Sequence, residues 1–239
     1  MIEKNLELDA STLPQGITLH SPVGGYRKLS IGPSAVVSVK RITFTAEALA
    51  SSMGPKQGGA IYNEGSLTLQ ECRFVKNGGG GNGGAICTVG GLTMERCVFE
   101  GNETRGIGGA VYMKRPVALV RVVHCLFKGN VSHGNGGGAI HVASRGTDTQ
   151  VVLEHCTLTE NSATSSQNRD MTMVPADRGA GGGIRVEPGP VEITHCIIAG
   201  NKAVMPGMED VRGEVKQTGP NFIGGDPKDA PAGLGASVK

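Results

Sequence analysis

A short motif of two glycines followed by a small and then an aliphatic residue recurs five times, and it limits the possible folds of this chain more than any other feature. Its copies start at intervals of 25, 25, 29 and 44 residues. A cysteine followed five positions later by an asparagine trails each copy. The motifs begin at Gly58, Gly83, Gly108, Gly137 and Gly181, and the trailing pairs are Cys72/Asn77, Cys97/Asn102, Cys125/Asn130, Cys156/Asn161 and Cys196/Asn201. Such periods are typical of stacked repeat folds.

Within each repeat, apolar and polar residues alternate over short segments, as in Leu67–Leu69 and Cys72–Phe74. Alternation with a period of two predicts strands that bury one face. Three short strands in a repeat cannot bury that face alone, but they can when the repeats stack. The sequence therefore predicts an all-β, single-stranded parallel β-solenoid of roughly seven or eight coils. Glycine is expected at the corners with positive φ, and asparagine amides are expected to stack from coil to coil.

The repeat pattern extends in weaker form on both sides, so we expect one domain over residues 1–224. Residues 1–28 are expected to form an N-terminal cap and the first coil, and residues 162–179 a loop excursion from one corner. The tail, residues 225–239, is expected to be disordered. One outward column becomes apolar toward the C-terminus, and we expect the 162–179 loop or a second subunit to cover it. That column is Arg73, Val98, Leu126, Thr157 and Ile197.

The repeat resembles that of the chlamydial polymorphic outer membrane proteins, whose two signatures are GGAI and FxxN. The FxxN signature occurs as Phe74–Asn77, Phe99–Asn102 and Phe127–Asn130. The pattern is also similar to that of secreted, anchor-type bacterial right-handed β-helix proteins. The resemblance covers about residues 29–225 and implies a right-handed parallel β-helix in a secreted or cell-surface protein. Those families carry signal peptides and C-terminal anchors, which we do not find in the sequence as given.

Charge and hydropathy exclude several classes of partner. The chain has 23 basic and 21 acidic residues, without a basic run, so nucleic-acid binding is not expected. There is no run of 18 apolar residues, so we expect no direct insertion into a membrane. A homodimer through the coil ends or the apolar outward column is a further expectation, because an open solenoid end exposes apolar core and unpaired backbone.

The cysteines are interpreted as core residues rather than as a redox or metal site. Five of the six occupy one inward column of the repeat, where a reduced thiol behaves as a small hydrophobic side chain. The sixth, Cys87, falls in an outward column and is the candidate for a reactive thiol. No CxxC motif is present, and no cofactor is expected.

A histidine column is the sharpest chemical feature. His124, His155 and His195 each precede the column cysteine on successive coils. They could share a transition metal or act as a pH-sensitive stripe, because imidazole is a common metal ligand and titrates near neutral pH. The alternative is a solvated row of histidines at a polar bend, and this alternative is favoured.

A second column follows the glycine motif and is the candidate binding surface. It contains Tyr62, Tyr112, His141 and Arg185, flanked by small residues. Tyrosine and arginine are enriched at binding hot spots, so this face could dock a partner. The alternative is an ordinary solvent-exposed face.

These observations favour a non-catalytic structural or adhesive module that recognises a protein or polysaccharide through an outer face. The alternative is a carbohydrate-active β-helix enzyme, a lyase or glycosidase, that acts on acidic polysaccharide in a groove containing Arg121 and Arg185. Such enzymes need clustered carboxylates, whereas the acidic residues here are scattered. A scaffold coil inside a longer protein is a third possibility.

Overall fold

Over the residues that the structure describes, the chain is a parallel β-solenoid with almost no helix. The computed structural model describes residues 1–22, 27–46, 57–116, 118–144, 150–164, 180–187, 189, 191–204 and 206–236. Within these ranges there are 28 short strands and one 3-10 helix near the C-terminus, Pro227–Asp229. The strands, in chain order, are β1 (Leu6–Asp9), β2 (Ile17–Ser21), β3 (Leu29–Ile31), β4 (Val36–Lys40), β5 (Ile42–Ala46), β6 (Ile61–Asn63), β7 (Ser66–Gln70), β8 (Arg73–Val75), β9 (Gly78–Gly79), β10 (Ile86–Thr88), β11 (Gly91–Glu95), β12 (Val98–Glu100), β13 (Glu103–Thr104), β14 (Val111–Lys114), β15 (Val120–Val123), β16 (Leu126–Lys128), β17 (Val131–Ser132), β18 (Ile140–Ala143), β19 (Val151–Glu154), β20 (Thr157–Thr159), β21 (Ser162–Ala163), β22 (Ile184–Glu187), β23 (Val191–Thr194), β24 (Ile197–Ala199), β25 (Lys202–Ala203), β26 (Val211–Arg212), β27 (Val215–Gln217) and β28 (Phe222–Ile223).

The strands stack into four parallel sheets that run along the solenoid. The first sheet has the order β1-β4-β7-β11-β15-β19-β23-β27, and the second β2-β5-β8-β12-β16-β20-β24-β28. The third is β3-β6-β10-β14-β18-β22-β26, and the fourth, shorter sheet is β9-β13-β17-β21-β25. Pairing is parallel and in register from one repeat to the next, as the repeat predicts.

About six turns are fully formed. In these turns, each of the first three sheets contributes a strand of at least three residues, whereas β26 and β28 have only two residues each. The prediction of seven or eight coils is therefore slightly high, because it includes the shortened turns at the C-terminal end.

Sharp corners with positive φ separate the sheets. The corner between the first and second sheets is occupied by polar residues with φ between 49° and 53°, and the expected polar bend at the histidine column is confirmed. These residues are Arg41, Glu71, Arg96, His124, His155 and His195. The first glycine of each motif supplies the corner before the third sheet, with φ from 62° to 74°. The second glycine is needed for close approach: a Cβ on Gly84 would collide with the carbonyl oxygen of Gly109 in the next turn.

The interior is a set of columns in which like residues stack. The rings of Phe44, Phe74, Phe99 and Phe127 lie parallel, with centroids 4.7 to 4.8 Å apart. The five column cysteines are fully buried and free. The expectation of a reduced internal thiol stack is confirmed. Burial of these apolar columns is the main source of folding free energy, since each turn covers the apolar face of its neighbour.

The predicted asparagine ladder is present and continuous. Each side-chain amide donates to the Oδ1 of the next asparagine, at 2.8 to 3.1 Å, from Asn77 through Asn102, Asn130 and Asn161 to Asn201. Each Oδ1 from Asn102 onward also accepts a bond from the backbone N–H of the preceding asparagine in the ladder, at 2.9 to 3.0 Å. The ladder therefore satisfies buried donors that no strand pairs.

Charged groups of opposite sign terminate this ladder. Lys28 Nζ donates to Asn77 Oδ1 at 3.1 Å, and Asn201 Nδ2 donates to Asp210 Oδ1 at 2.7 Å. All the ladder amides point the same way. The Lys28 ammonium therefore lies at the end of the ladder that presents an amide oxygen, and the Asp210 carboxylate lies at the end that presents N–H donors. Burial lowers the pKa of Lys28 to about 8. Burial also raises the pKa of Asp210, against the two hydrogen bonds from Asn201 that lower it.

Part of the C-terminal tail, for which we expect disorder over residues 225–239, lies against the solenoid. Residues up to 236 are placed, and the 3-10 helix contacts β24. The N–H of Gly235 donates to the carbonyl of His195 at 2.8 Å, and that of Ala236 to Thr157 Oγ1 at 2.9 Å. The tail thus lies on part of the apolar outward column that the 162–179 loop was expected to cover. Of that loop, residues 165–179 lie outside the described residues.

Candidate functional site

The third sheet brings the four predicted binding residues into one column. Register pairs Tyr62 with Cys87, Cys87 with Tyr112, Tyr112 with His141, and His141 with Arg185, on five consecutive strands. The two-residue alternation of β-strands explains this alignment, because the glycine motif fixes the phase of every copy.

This column is more buried than a docking face would be. Tyr112 is 7% exposed and His141 only 1%. At the N-terminal end, the Arg27 guanidinium lies 5.0 Å from the Tyr62 ring centroid, and Tyr62 Oη donates to Glu64 at 3.0 Å. Burial and this carboxylate raise the pKa of Tyr62 to about 12. The expected open face of tyrosine, histidine and arginine is therefore not what the structure shows.

A cleft lies at the C-terminal half of the column. It has a volume of about 400 Å³ and contains two of the predicted binding residues. Its lining is Arg105, Gly106, Ile107, Gly134, Asn135, His141, Arg185 and Glu187. Arg105, Asn135 and Glu187 were not predicted. The sequence gives little sign of Arg105 and Asn135, which follow strands of the short fourth sheet, whereas Glu187 shares a strand face with Arg185.

Two polar side chains of the cleft, His141 and Arg185, lie beside Glu187. His141 Nε2 lies 3.3 Å from Glu187 Oε1, yet it has no well-aligned hydrogen-bond partner. Arg185 lies 3.6 Å from the same carboxylate and also donates to the carbonyl of Asn135. The ring of Tyr112 meets the His141 imidazole edge-on, at 5.6 Å between centroids. The cleft therefore has a buried imidazole, two guanidinium groups and one carboxylate.

The histidine column forms a stack. The rings of His124 and His155 are 4.8 Å apart and those of His155 and His195 are 4.6 Å apart, with interplanar angles of 17° and 16°. Nitrogens of rings stacked face to face lie in parallel planes, so they do not converge on one point. In the described ranges, no three His, Cys, Asp or Glu side chains are grouped so that they could hold one metal ion. Metal binding by this column stays a prediction without a preformed ligand set.

Cys87 differs from its predicted role. Its side chain is fully buried, and its Sγ lies 3.7 Å from Gln57 Oε1. Burial raises its pKa to about 12, so the thiol stays protonated near neutral pH. The expectation of a reactive outward thiol is therefore wrong, because a neighbouring segment covers this strand position.

Arg121 and Arg185 do not share a groove. Arg121 lies in β15 of the first sheet and pairs with Glu154 at 2.8 Å, whereas Arg185 lies in β22 of the third sheet. The groove expected for the enzyme alternative is therefore not formed by these two residues.

A second cleft, of about 650 Å³, lies between the tail and one corner of the solenoid. It is lined by Thr159, Glu160, Gly200, Gly225, Asp226, Pro227 and Lys228. The sequence did not predict this cleft, because it depends on the placement of the tail.

Comparison with known proteins identifies a fold family. Residues 15–158 match the family model described as a right handed beta helix region. Searches of curated proteins and of solved structures gave no match. Within the part of the chain that the structure describes, no helix has the length and apolar character that crossing a bilayer requires.

Proposed function

This chain belongs to the right-handed β-helix family, and on that premise we propose that it is a structural or adhesive recognition module of a secreted or cell-surface bacterial protein, which binds its ligand at an outer cleft without cleaving it. The fold is consistent with a structural or adhesive module and with a polysaccharide-active enzyme. The GGAI and FxxN signatures support the placement among bacterial surface repeat proteins. The ligand is an anionic polymer, with acidic polysaccharide as the first candidate.

The cleft at Arg105 and Arg185 is the observation that carries this proposal. Arg105 is exposed at the cleft, while Arg185 is held by Glu187 and the Asn135 carbonyl. Guanidinium groups bind carboxylates through paired, charge-assisted hydrogen bonds. A carboxylate of the ligand would contact Arg105, and neighbouring hydroxyls would contact the exposed Asn135 and Glu187.

Calorimetry with oligogalacturonate tests this proposal. Replacing Arg105 with glutamine removes the exposed cation, and we expect about tenfold weaker binding, since hydrogen bonds to charged groups contribute about 1.5–3 kcal/mol. Arg73→Gln is the matched control, because Arg73 is exposed on the second sheet and pairs with Glu100 at 3.6 Å. Equal losses in both variants, or equal binding of a neutral oligosaccharide, would contradict recognition at the cleft.

The alternative function is cleavage of acidic polysaccharide in the same cleft. It is favoured by the buried His141 beside Glu187, since an imidazole and a carboxylate are groups used in acid–base chemistry. Incubation with pectate and alginate, with and without calcium, separates the two functions. Chain cleavage that His141→Gln abolishes would replace the recognition proposal, and binding without product would support it.

A further inference from the structure

A carboxylate, an imidazole and a hydroxyl lie in line across three consecutive turns. Glu103 begins β13, His133 follows β17, and Thr164 follows β21, all along the fourth sheet. His133 Nε2 is 2.5 Å from Glu103 Oε1, and His133 Nδ1 is 3.0 Å from Thr164 Oγ1. The three residues are about 30 positions apart in sequence, and the stacking of turns brings them together.

The carboxylate determines which ring nitrogen of His133 carries the proton. A carboxylate only accepts hydrogen bonds, so the neutral imidazole has its hydrogen on Nε2, facing Glu103. Nδ1 then presents a lone pair to the Thr164 hydroxyl. Among the described residues, the Ser132 carbonyl is another acceptor for this hydroxyl and lies farther away, at 3.3 Å. The hydroxyl is therefore placed to donate its proton to the imidazole, which is the arrangement that activates a nucleophilic hydroxyl.

Solvent and a ligand can reach this cluster. The side chain of His133 is 34% exposed and that of Glu103 27%. Gly134, next to His133, and Arg105, two residues after Glu103, both line the cleft described above. We propose that Thr164 is a nucleophile for acyl esters, with His133 as its general base and Glu103 as the residue that positions the imidazole.

The reaction is acyl transfer followed by hydrolysis. Thr164 Oγ1 attacks the ester carbonyl carbon, an Oγ1–C bond forms, and the proton of the hydroxyl passes to His133 Nδ1. The bond to the leaving alcohol then breaks, and that oxygen takes the proton from His133. Water attacks the acyl-threonine with His133 again as base, releasing the carboxylic acid and restoring the hydroxyl.

Hydrolysis of p-nitrophenyl acetate by the full chain tests the nucleophile. General-base catalysis contributes about 10²–10⁴-fold, so Thr164→Val is expected to lower the rate about 10²-fold and Thr164→Ser to retain activity. Peptide mapping after a short reaction should find the acetyl group on Thr164. The control Thr68→Val removes a hydroxyl from the first sheet and should leave the rate unchanged. Acetylation spread over other residues, or equal rates for Thr164→Val and the unmodified chain, would overturn the proposal.

The proposed positioning role of Glu103 is tested by a measurement that the loss of a purely structural contact would not change, the tautomer of the His133 imidazole. In Glu103→Gln, the side chain can donate or accept, so the imidazole tautomer is no longer fixed. Nitrogen NMR of labelled histidine should show the Nε2–H form of His133 in the unmodified chain and a mixture of forms in Glu103→Gln, with a lower acetylation rate. An unchanged tautomer and rate would exclude the positioning role. These assays use a small ester and no anionic polymer. A negative result would therefore not affect the proposed recognition at the cleft, and a failure of that recognition would not affect the proposed nucleophile.

Discussion

Replacement of a central ladder asparagine tests how the interior is held together. In Asn130→Leu, the lost Oδ1 had accepted both the backbone N–H of Asn102, at 3.0 Å, and its side-chain amide, at 2.9 Å. Asn102 is fully buried, so both donors lose an acceptor that water cannot replace. A buried unsatisfied donor costs about 1–3 kcal/mol, which gives a loss of about 2–6 kcal/mol in the free energy of unfolding.

The first asparagine of the ladder offers a matched comparison. Asn77 Oδ1 accepts from Lys28 Nζ, and it receives no bond from the backbone of another ladder asparagine. Asn77→Leu therefore leaves no ladder backbone N–H without an acceptor, and we expect a loss smaller than that of Asn130→Leu, about 1–2 kcal/mol. Thr93→Ala, at an exposed position of β11, should be nearly neutral.

Urea unfolding followed by circular dichroism measures these differences through the transition midpoint. The expected order of stability is Thr93→Ala, then Asn77→Leu, then Asn130→Leu. Asn130→Asp should be the least stable, because a carboxylate oxygen replaces the amide that donates to Phe99 and Asn161. A loss below 1 kcal/mol for Asn130→Leu would refute the argument that the ladder satisfies otherwise unpaired donors.

Three further outcomes follow from the structure. Leu69→Asp should abolish cooperative unfolding, because the carboxylate has no partner in the core, whereas Thr68→Asp should be nearly silent; comparable losses would mean that the faces are misassigned. Burial lowers the pKa of Lys28 to about 8, below the ordinary lysine value of 10.5. Between pH 8 and 10.5 the unfolded chain therefore binds more protons than the folded chain, and the free energy of unfolding should rise with pH. A similar rise in Lys28→Met would contradict this assignment. Cys87 should not react with a thiol reagent at neutral pH until the chain unfolds, and fast labelling of the folded chain would show that the site is open.

The sequence was sufficient for the features that repeat. The glycine motif gave the phase of every strand, and the offset from cysteine to asparagine gave both the thiol column and the amide ladder. These predictions succeeded because each residue faces its own counterpart in the next turn, so that one repeat specifies the environment of all the others.

Features formed by only one segment were missed. The tail is rich in glycine, proline and alanine, which is typical of disorder, yet Gly235 binds the solenoid through its backbone, a contact that composition does not encode. Lys28 and Asp210 end the ladder from outside the repeat. The burial of Tyr112 and His141 and the lining of the cleft depend on loops whose positions periodicity does not predict.

The central claim, that successive turns stack directly on each other, is tested most directly by nuclear Overhauser contacts between phenylalanine rings. The account predicts contacts for the pairs Phe44–Phe74, Phe74–Phe99 and Phe99–Phe127, whose centroids are 4.7 to 4.8 Å apart, and none between Phe44 and Phe127. Absence of the contact between Phe99 and Phe127, which are separated by a full turn of chain, would contradict the solenoid.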